Sequence, residues 1–179
     1  MTSQNNHSPQ SGIVGVGDDI YFYRATGEYS FLSNLYRCGV RFEGQVFRSA
    51  EDAYQFGKPK DPEVALWLIK APKPHLCAAA AHALFAFDIS PDWQQKKVTR
   101  MARVIDAKFT SEDLAEKLIA TWPRMLIEKS NTDAFWGIGK KGTGQNMLGI
   151  LLMATRERLH REKIENQSRV EFIQGVHSP

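Results

Sequence analysis

The stretch VRFEGQVFRSAEDAYQFGK, residues 40–58, contains the change from strand to helix that sets the architecture of the chain. Val40–Phe42 and Gln45–Phe47 are rich in β-branched and aromatic residues, and Glu43-Gly44 between them suits a two-residue hairpin turn. Ser49 can cap a helix that begins directly after the second strand and runs to the end of the stretch. The stretch therefore predicts a β-hairpin that leads straight into a helix.

Helices dominate the prediction outside this stretch. On its amino-terminal side, residues 20–23 predict one further strand. On its carboxyl-terminal side, caps, prolines and apolar spacing predict helices at about 61–70, 74–84, 90–105, 111–119 and 147–159, with a short strand at 125–127 and a loop at 131–144. The pattern predicts an α+β fold: a single, mainly helical domain with a small N-terminal antiparallel sheet.

Length and composition indicate one domain between two tails. The chain has 179 residues, 42% of them hydrophobic, which is enough for a core without disulfide or metal support. Residues 1–17 and 163–179 are polar and predict flexible tails around a domain at 18–162. No apolar run is long enough to cross a bilayer and the N-terminus lacks a signal-peptide pattern, so we expect a cytoplasmic protein without membrane contact.

Charge and motif patterns exclude several classes of function. The net charge of +3 is too small for a dedicated nucleic-acid coat, although residues 91–179 carry 15 basic and 11 acidic side chains. The histidines are not spaced with Cys, Asp or Glu as zinc ligands are, and there is no P-loop or dinucleotide motif. His75 and His82 share a helix face, which suits a paired role but is more typical of core histidines. We therefore expect no metal and no cofactor.

Two segments carry polar side chains that an ordinary core does not need. The first contains Ser33 and Asn34, which could also simply close a turn. In the second, one face of the predicted helix presents a carboxylate, a phenol, an amide and an ammonium group, from Glu51, Tyr54, Gln55 and Lys58. Such a face either lines a polar pocket or is solvated.

A third segment, residues 131–146, is a loop rich in glycine and lysine that runs into the last helix. Free backbone N–H groups and the positive end of a helix dipole suit phosphate, although a plain loop before a helix explains the glycines nearly as well. Trp136 beside Gly137 can stack on a base or another flat ring, because the glycine allows close approach.

Taken in order, these segments resemble the YbiA-like family, also called NADAR, over about residues 21–159. The resemblance rests on five ordered motifs: Leu32-Ser33-Asn34-Leu35-Tyr36, Glu51 through Lys58, Asp92-Trp93, Asp133 through Gly137, and Gly144 through Gly149. Two positions depart from the family pattern, since Asp52 stands where the family usually has His and Leu35 where it has an aromatic residue. The resemblance implies the α+β fold described above, in its YbiA-like form.

The resemblance also implies an activity, namely hydrolysis of the bond between a ribose and a nitrogen without a metal. The implied substrates are riboflavin-pathway intermediates that carry ribose phosphate, or ADP-ribosylated guanine in nucleic acid. Positive charge develops at C1 of the ribose in such a reaction, and Glu51 is the carboxylate expected to stabilise it. Asp133 is expected to act as a second acid, a base or the organiser of the Trp136 loop, and Lys58 to hold phosphate or lower the pKa of Glu51.

The expected substrate-binding residues follow from the same motifs. Arg24, Lys58 and the loop at 142–146 are expected to hold phosphate, and Trp93 and Trp136 to hold rings. The full set of expected substrate-binding residues is Arg24, Ser33, Asn34, Tyr54, Gln55, Trp93, Trp136, Gly137, Gly144 and Asn146.

Two other classes of function stay open on the sequence. A module that has lost catalysis but still binds or sequesters ADP-ribose or a nucleotide is favoured by the departure at Asp52. A purely structural or interaction domain is disfavoured by the polar and aromatic residues of three separate segments.

Overall fold

The computed structural model describes residues 19–175, which form an α+β fold with helices in the majority. Within them lie four strands, β1 (Ile20–Phe22), β2 (Arg37–Phe42), β3 (Gln45–Ser49) and β4 (Leu126–Glu128), and six α-helices, α1 (Ala50–Phe56), α2 (Pro62–Ile69), α3 (Pro74–His82), α4 (Trp93–Lys108), α5 (Glu112–Ile119) and α6 (Met147–Gly175). Short 3-10 turns lie at Ser30–Leu32 and Ala86–Asp88. The predicted tail at 1–17 lies outside the described residues.

The strands form two separate two-stranded sheets. β2 and β3 make the predicted antiparallel hairpin, with Arg41 opposite Val46, and Glu43 and Gly44 turn it with φ angles of 48° and 79°. β1 is not part of that sheet, because it pairs in parallel with β4. The strand predicted at 20–23 therefore finds its partner near the other end of the domain, a pairing that local patterns do not reveal.

Helix α1 begins without an intervening loop, as the sequence predicts. Ser49 Oγ accepts a hydrogen bond from the Asp52 amide at 3.1 Å, which satisfies one of the free N–H groups of the first turn. Helix α2 begins in a similar way, since the Asp61 carboxylate accepts from the Glu63 amide at 2.8 Å and Pro62 occupies the first turn. The Ser49 cap lets α1 follow β3 directly, and the Asp61 cap fixes the start of α2.

Helix α4 joins the two larger parts of the core. Met101 and Ile105 pack into the main cluster, which contains residues of β1, β4, α5 and α6, while Val104 packs against the cluster under the hairpin. All three side chains are buried, and full burial of such a side chain contributes roughly 1.5–3 kcal/mol. The hairpin, α1 and α6 are thereby held in place around α4.

The last helix is longer than the sequence predicts. The prediction that it ends near residue 159 is wrong, since α6 continues to Gly175 and includes much of the segment predicted as a flexible tail. Ion pairs support the exposed part, with Arg158 and Glu162 at 2.9 Å and Lys163 reaching Glu116 of α5 at 2.6 Å. Among residues 19–175, no helix is both long and apolar enough to cross a membrane, α6 included.

Candidate active site

A cavity of about 1190 Å³ opens between α1, α3, α4 and the loops that follow β1 and β4. Small-molecule sites usually measure roughly 300–1,000 Å³, so this cavity is large enough for such a ligand. It is lined by ten of the thirteen residues that the sequence predicts for the site: Arg24, Ser33, Asn34, Glu51, Tyr54, Gln55, Lys58, Trp93, Asp133 and Trp136. The helix face of residues 51–58 therefore lines a pocket and is not a solvated surface.

Glu51 lies in the first turn of α1 and is partly buried in the cavity wall. Its backbone N–H donates to the Asn34 carbonyl at 3.0 Å, and its carboxylate accepts from Gln55 Nε2 at 2.8 Å. Burial raises the pKa of Glu51 to about 7, against the opposing effects of the Gln55 hydrogen bond and the charge of Lys58. The carboxyl group can therefore gain or lose a proton near neutral pH.

Glu128, the last residue of β4, is a cavity residue that the sequence analysis misses. Burial raises its pKa to about 7, and the negative charges of Asp133 and Glu51 act in the same direction. The sequence marks Glu128 only as a carboxylate at the end of a short apolar strand. This signal is weak, because carboxylates at strand ends usually face solvent. The cavity thus has two carboxyl groups that titrate near neutral pH.

Asp133 holds the loop that carries Trp136. One oxygen, Oδ1, accepts hydrogen bonds from the backbone N–H groups of Phe135 and Trp136, each at 2.8 Å. The Asp133 N–H in turn donates to Ser130 Oγ at 3.1 Å. Of the roles expected for Asp133, the geometry favours that of loop organiser, because this oxygen is already occupied.

Lys58 is buried and reaches across to α3, where its Nζ donates to the Ala81 carbonyl at 2.6 Å. Within residues 19–175 it forms no ion pair with Glu51 or any other carboxylate. Burial lowers the pKa of Lys58, and the charge of Glu51 opposes this effect. Lys58 therefore acts on Glu51 through its electric field and not through direct contact.

Aromatic side chains form one side of the cavity. The Tyr54 ring lies 5.0 Å from Trp93 and 5.6 Å from Trp136, and Trp136 is 4.9 Å from Phe135, measured between ring centroids. Trp93 is only 4% exposed, so it belongs to the core as well as to the cavity wall. Lys97 Nζ lies 4.1 Å from the Phe135 centroid, a cation–π distance.

Most N–H groups of the segment that the sequence predicts for phosphate, residues 142–146, are already bonded within the protein. Each N–H from Gly144 to Leu148 donates to a carbonyl of the segment 134–138, at 2.7 to 3.1 Å. A Cβ atom at Gly144 would lie 2.5 Å from the Gly137 carbonyl oxygen, and one at Gly137 would lie 2.7 Å from the Glu128 carbonyl oxygen. The glycines thus allow the loop to pack on itself and on β4.

Three of the residues expected for the site, Gly137, Gly144 and Asn146, do not line this cavity. Asn146 has a positive φ of 50° and uses its whole amide on the backbone of β4. Sequence patterns cannot distinguish such a packed loop from a phosphate-binding one, because both need glycines at close approaches.

Basic residues line the cavity from several separate elements. Arg24, Arg37, Lys73 and Lys97 all contribute, and none has a carboxylate within 4.0 Å in residues 19–175. The sequence analysis singles out only Arg24, because Arg37, Lys73 and Lys97 come from a strand start, a loop and a helix with no shared motif. We call these four residues the basic set.

Asp52, the departure from the family pattern, lies outside the cavity. It is 1% exposed, and its Oδ2 pairs with Arg48 Nε at 2.8 Å.

Within the cavity two buried amide oxygens, Asn34 Oδ1 and Gln55 Oε1, have no donor among the described residues. Buried acceptors without donors are costly, so these two oxygens are an energetic cost within the cavity wall. In residues 19–175, no three His, Cys, Asp or Glu side chains form a metal-binding group.

The α+β domain thus contains a cavity that combines carboxyl groups, an aromatic wall and basic side chains without ion-pair partners among residues 19–175. The family model described as the NADAR domain matches residues 21–160, and the chain belongs to this family. It is similar to N-glycosidase YbiA of Escherichia coli strain K12, with 30% identity over 145 residues that cover 80% of this chain and 90% of that protein. It is also similar to N-glycosidase Npun_R5314 of Nostoc punctiforme, with 32% identity over 78% of this chain and 92% of that protein.

A longer relative and a solved structure extend these comparisons. The riboflavin biosynthesis protein VVA0006 of Vibrio vulnificus is 33% identical over 89% of this chain, and the match spans 43% of that protein. The NMR structure of the E. coli protein YbiA superposes with a TM-score of 0.74 at 31% identity, covering 83% of this chain and 89% of that one. The predicted family and the YbiA-like fold are thereby confirmed.

Proposed function

We propose that the chain is an N-glycosidase that hydrolyses the bond between C1 of a phosphate-bearing ribose and a nitrogen of a flat heterocycle. The observation that carries the proposal is the joint presence, in one cavity, of Glu51 and Glu128 with the basic set. Carboxyl groups suit the reacting carbon, whereas unpaired cations suit phosphate. The names of the E. coli and Nostoc relatives support the same class of reaction.

The chemistry assigns Glu51 to the reacting carbon. As the C1–N bond breaks, the ribose gains oxocarbenium character, which an ionised carboxylate stabilises by its charge. Gln55 and Lys58 both favour the ionised form of Glu51, so it can carry this charge although it is buried. The same carboxylate can then accept a proton from the attacking water.

The wall residues suit the two ends of such a substrate. Trp136 and Tyr54 are aromatic wall residues that suit a heterocycle, and the basic set in the same wall suits its ribose phosphate. Two substrates fit this description: ADP-ribosylated guanine in nucleic acid, and a ribose-phosphate intermediate of riboflavin synthesis. The relative from Vibrio vulnificus carries a riboflavin biosynthesis name, which supports the second.

The alternative of a module that binds without catalysis draws less support from the structure. It depended on Asp52, and this residue pairs with Arg48 outside the cavity. The carboxyl groups that a hydrolase needs are present in the wall. We therefore favour the hydrolase.

The test is turnover on both substrates. Purified protein is incubated with ADP-ribosylated guanine in DNA and with a ribose-phosphate aminopyrimidine, and release of ADP-ribose or ribose 5-phosphate is followed. We expect the parent chain and Glu165→Gln, an exposed control on α6, to release product from one of them. Glu51→Gln should lose at least about 100-fold in kcat. Tight binding by the parent without release from either substrate would contradict the proposal.

A further inference from the structure

Glu128 contributes a carboxyl group to the cavity and is not part of any of the sequence motifs. Resting on the proposed function, we propose that Glu128 is the general acid of the site, which gives its proton to the departing heterocycle nitrogen while Glu51 serves the ribose. The two residues come from different parts of the fold, β4 and α1, and line the same cavity. The argument depends on how each is held and on what surrounds each carboxyl group.

The backbone of Glu128 is held on both sides. Its N–H donates to Asn146 Oδ1 at 2.9 Å, and its carbonyl accepts from the N–H groups of Ser130 and Ile138 at 2.9 and 3.0 Å. Gly137 packs so closely on this carbonyl that a side chain there would collide with it. The backbone of Glu128, from which the side chain starts, therefore has a fixed place at the cavity wall.

The carboxyl group of Glu128, by contrast, has no hydrogen-bond donor and no ion-pair partner in the part of the chain that the structure describes. Glu51 receives the Gln55 amide hydrogen and feels the charge of Lys58, and both favour its ionised form. Around Glu128 every named influence favours the protonated form: burial, Asp133 and Glu51. Burial, Asp52 and Asp133 raise the pKa of Glu51 as well, and the pKa of both groups is about 7. What separates them is contact: Glu51 accepts the Gln55 hydrogen bond, which suits a charge-stabilising base, and Glu128 has no donor among the described residues, which suits an acid.

The proposed step is balanced. The C1–N bond breaks with its electron pair on nitrogen, and that nitrogen takes the proton of Glu128. Water bonds to C1 through its oxygen and gives one proton to Glu51. Glu128 is then ionised and Glu51 protonated, and exchange with solvent restores the starting state. No oxidant, reductant or further reactant takes part.

Other ionisable groups share the cavity and set the pH behaviour together with Glu128. They are Asp133 on the following loop, Glu51, Tyr54 and Lys58 on α1, Lys73, His75 and His82 at α3, Lys97 on α4, and Tyr23, Arg24, Tyr36 and Arg37 on the remaining walls. A pH profile alone therefore does not identify the acid, and the test needs a change in the leaving group.

The experiment compares two leaving groups in the parent, Glu128→Gln, Glu51→Gln and the control Glu165→Gln. One substrate is the heterocyclic riboside that the parent turns over. The other has the same ribose phosphate but a 4-nitrophenolate leaving group, which departs without a proton. We expect Glu128→Gln to lose at least about 100-fold in kcat on the heterocycle and less than 10-fold on the nitrophenyl riboside. Glu51→Gln should lose similarly on both.

The outcomes separate the inference from the proposed function. Equal losses for Glu128→Gln on both substrates, or retention of parental turnover on the heterocycle, would overturn the role of Glu128 alone. Parent protein that hydrolyses neither riboside would overturn the proposed function and this inference with it. Thermal unfolding of each variant is the folding control. A melting temperature at or above that of the parent shows that a loss of turnover is not caused by unfolding.

Discussion

Asn146 Oδ1 accepts a hydrogen bond from the Glu128 amide at 2.9 Å, while Nδ2 of the same side chain donates to the Leu126 carbonyl at 2.8 Å. One side chain thus occupies two backbone groups of β4 that a neighbouring strand would otherwise pair. The contact ties the start of α6 to the strand that carries Glu128 into the cavity. Asn146 supports the site from behind and does not line it.

This role predicts that Asn146→Ala destabilises the fold and leaves substrate affinity nearly unchanged. Two buried backbone groups would lose their partners, and we expect a loss of about 2–4 kcal/mol in the free energy of unfolding. Urea unfolding measures the loss, and KM of the folded fraction measures affinity. A variant as stable as the parent but with KM raised 10-fold would show instead that Asn146 contacts substrate.

The burial of Glu128 predicts a pH-dependent gain in stability for Glu128→Gln. The pKa of this carboxyl group is about 7 in the folded chain and 4.5 in its ordinary state, so the folded chain binds more protons between these values. The stability of the parent therefore falls as pH rises from 4.5 to 7, and that of the glutamine variant does not fall for this reason. We expect the variant to be more stable by about 3 kcal/mol at pH 8 and equal to the parent near pH 4. Urea unfolding at the two pH values checks this, and a variant less stable at pH 8 would contradict it.

The basic set predicts which lysines recognise phosphate. Lys73→Gln and Lys97→Gln should each raise KM for a phosphorylated riboside about 10-fold or more, because each removes a charge-assisted contact. Lys141→Gln is the matched control, since Lys141 is exposed on the glycine-rich loop and lies outside the cavity. Steady-state kinetics at two salt concentrations provide the measurement. A large effect at Lys141 with none at Lys73 and Lys97 would return phosphate binding to the loop.

Lys108 predicts a second pH effect, at the alkaline end. Its side chain is 1% exposed, and its Nζ donates to the Ser33 carbonyl at 2.8 Å. Burial lowers the pKa of Lys108 to about 8 from 10.5, so between these values the unfolded chain binds more protons and the stability of the parent rises with pH. Lys108→Met, which buries no charge, should be more stable than the parent at pH 7.

The difference in the free energy of unfolding between Lys108→Met and the parent should narrow as pH rises towards 10.5, by at most about 1.4 kcal/mol per pH unit. Urea unfolding of both proteins between pH 7 and 10.5 measures it. The Ser33 carbonyl keeps a second donor, the Tyr36 amide at 3.1 Å, so the variant does not leave it unpaired. A difference in the free energy of unfolding that stays constant with pH would contradict this prediction, because Lys108 would then have the same pKa in the folded and the unfolded chain.

Local patterns in the sequence determined much of this protein. The hairpin turn at Glu43-Gly44, the cap at Ser49 and the helix face that carries Glu51 and Lys58 each depend on residues within a few positions of one another. Turn conformation, capping and the 3.6-residue period are short-range effects, so sequence alone predicts them. The order of the motifs also predicted the family.

Only the tertiary structure decided which polar groups meet and which are already occupied. The parallel pairing of β1 with β4 brings Glu128 to the cavity that contains Glu51, far away in the chain. The N–H groups from Gly144 to Leu148 are taken by carbonyls of the same loop, and the packing of α3 and α4 brings Lys73 and Lys97 to one cavity wall. Hydrogen-bond saturation and long-range contact depend on the whole packed chain, and no local spacing records them.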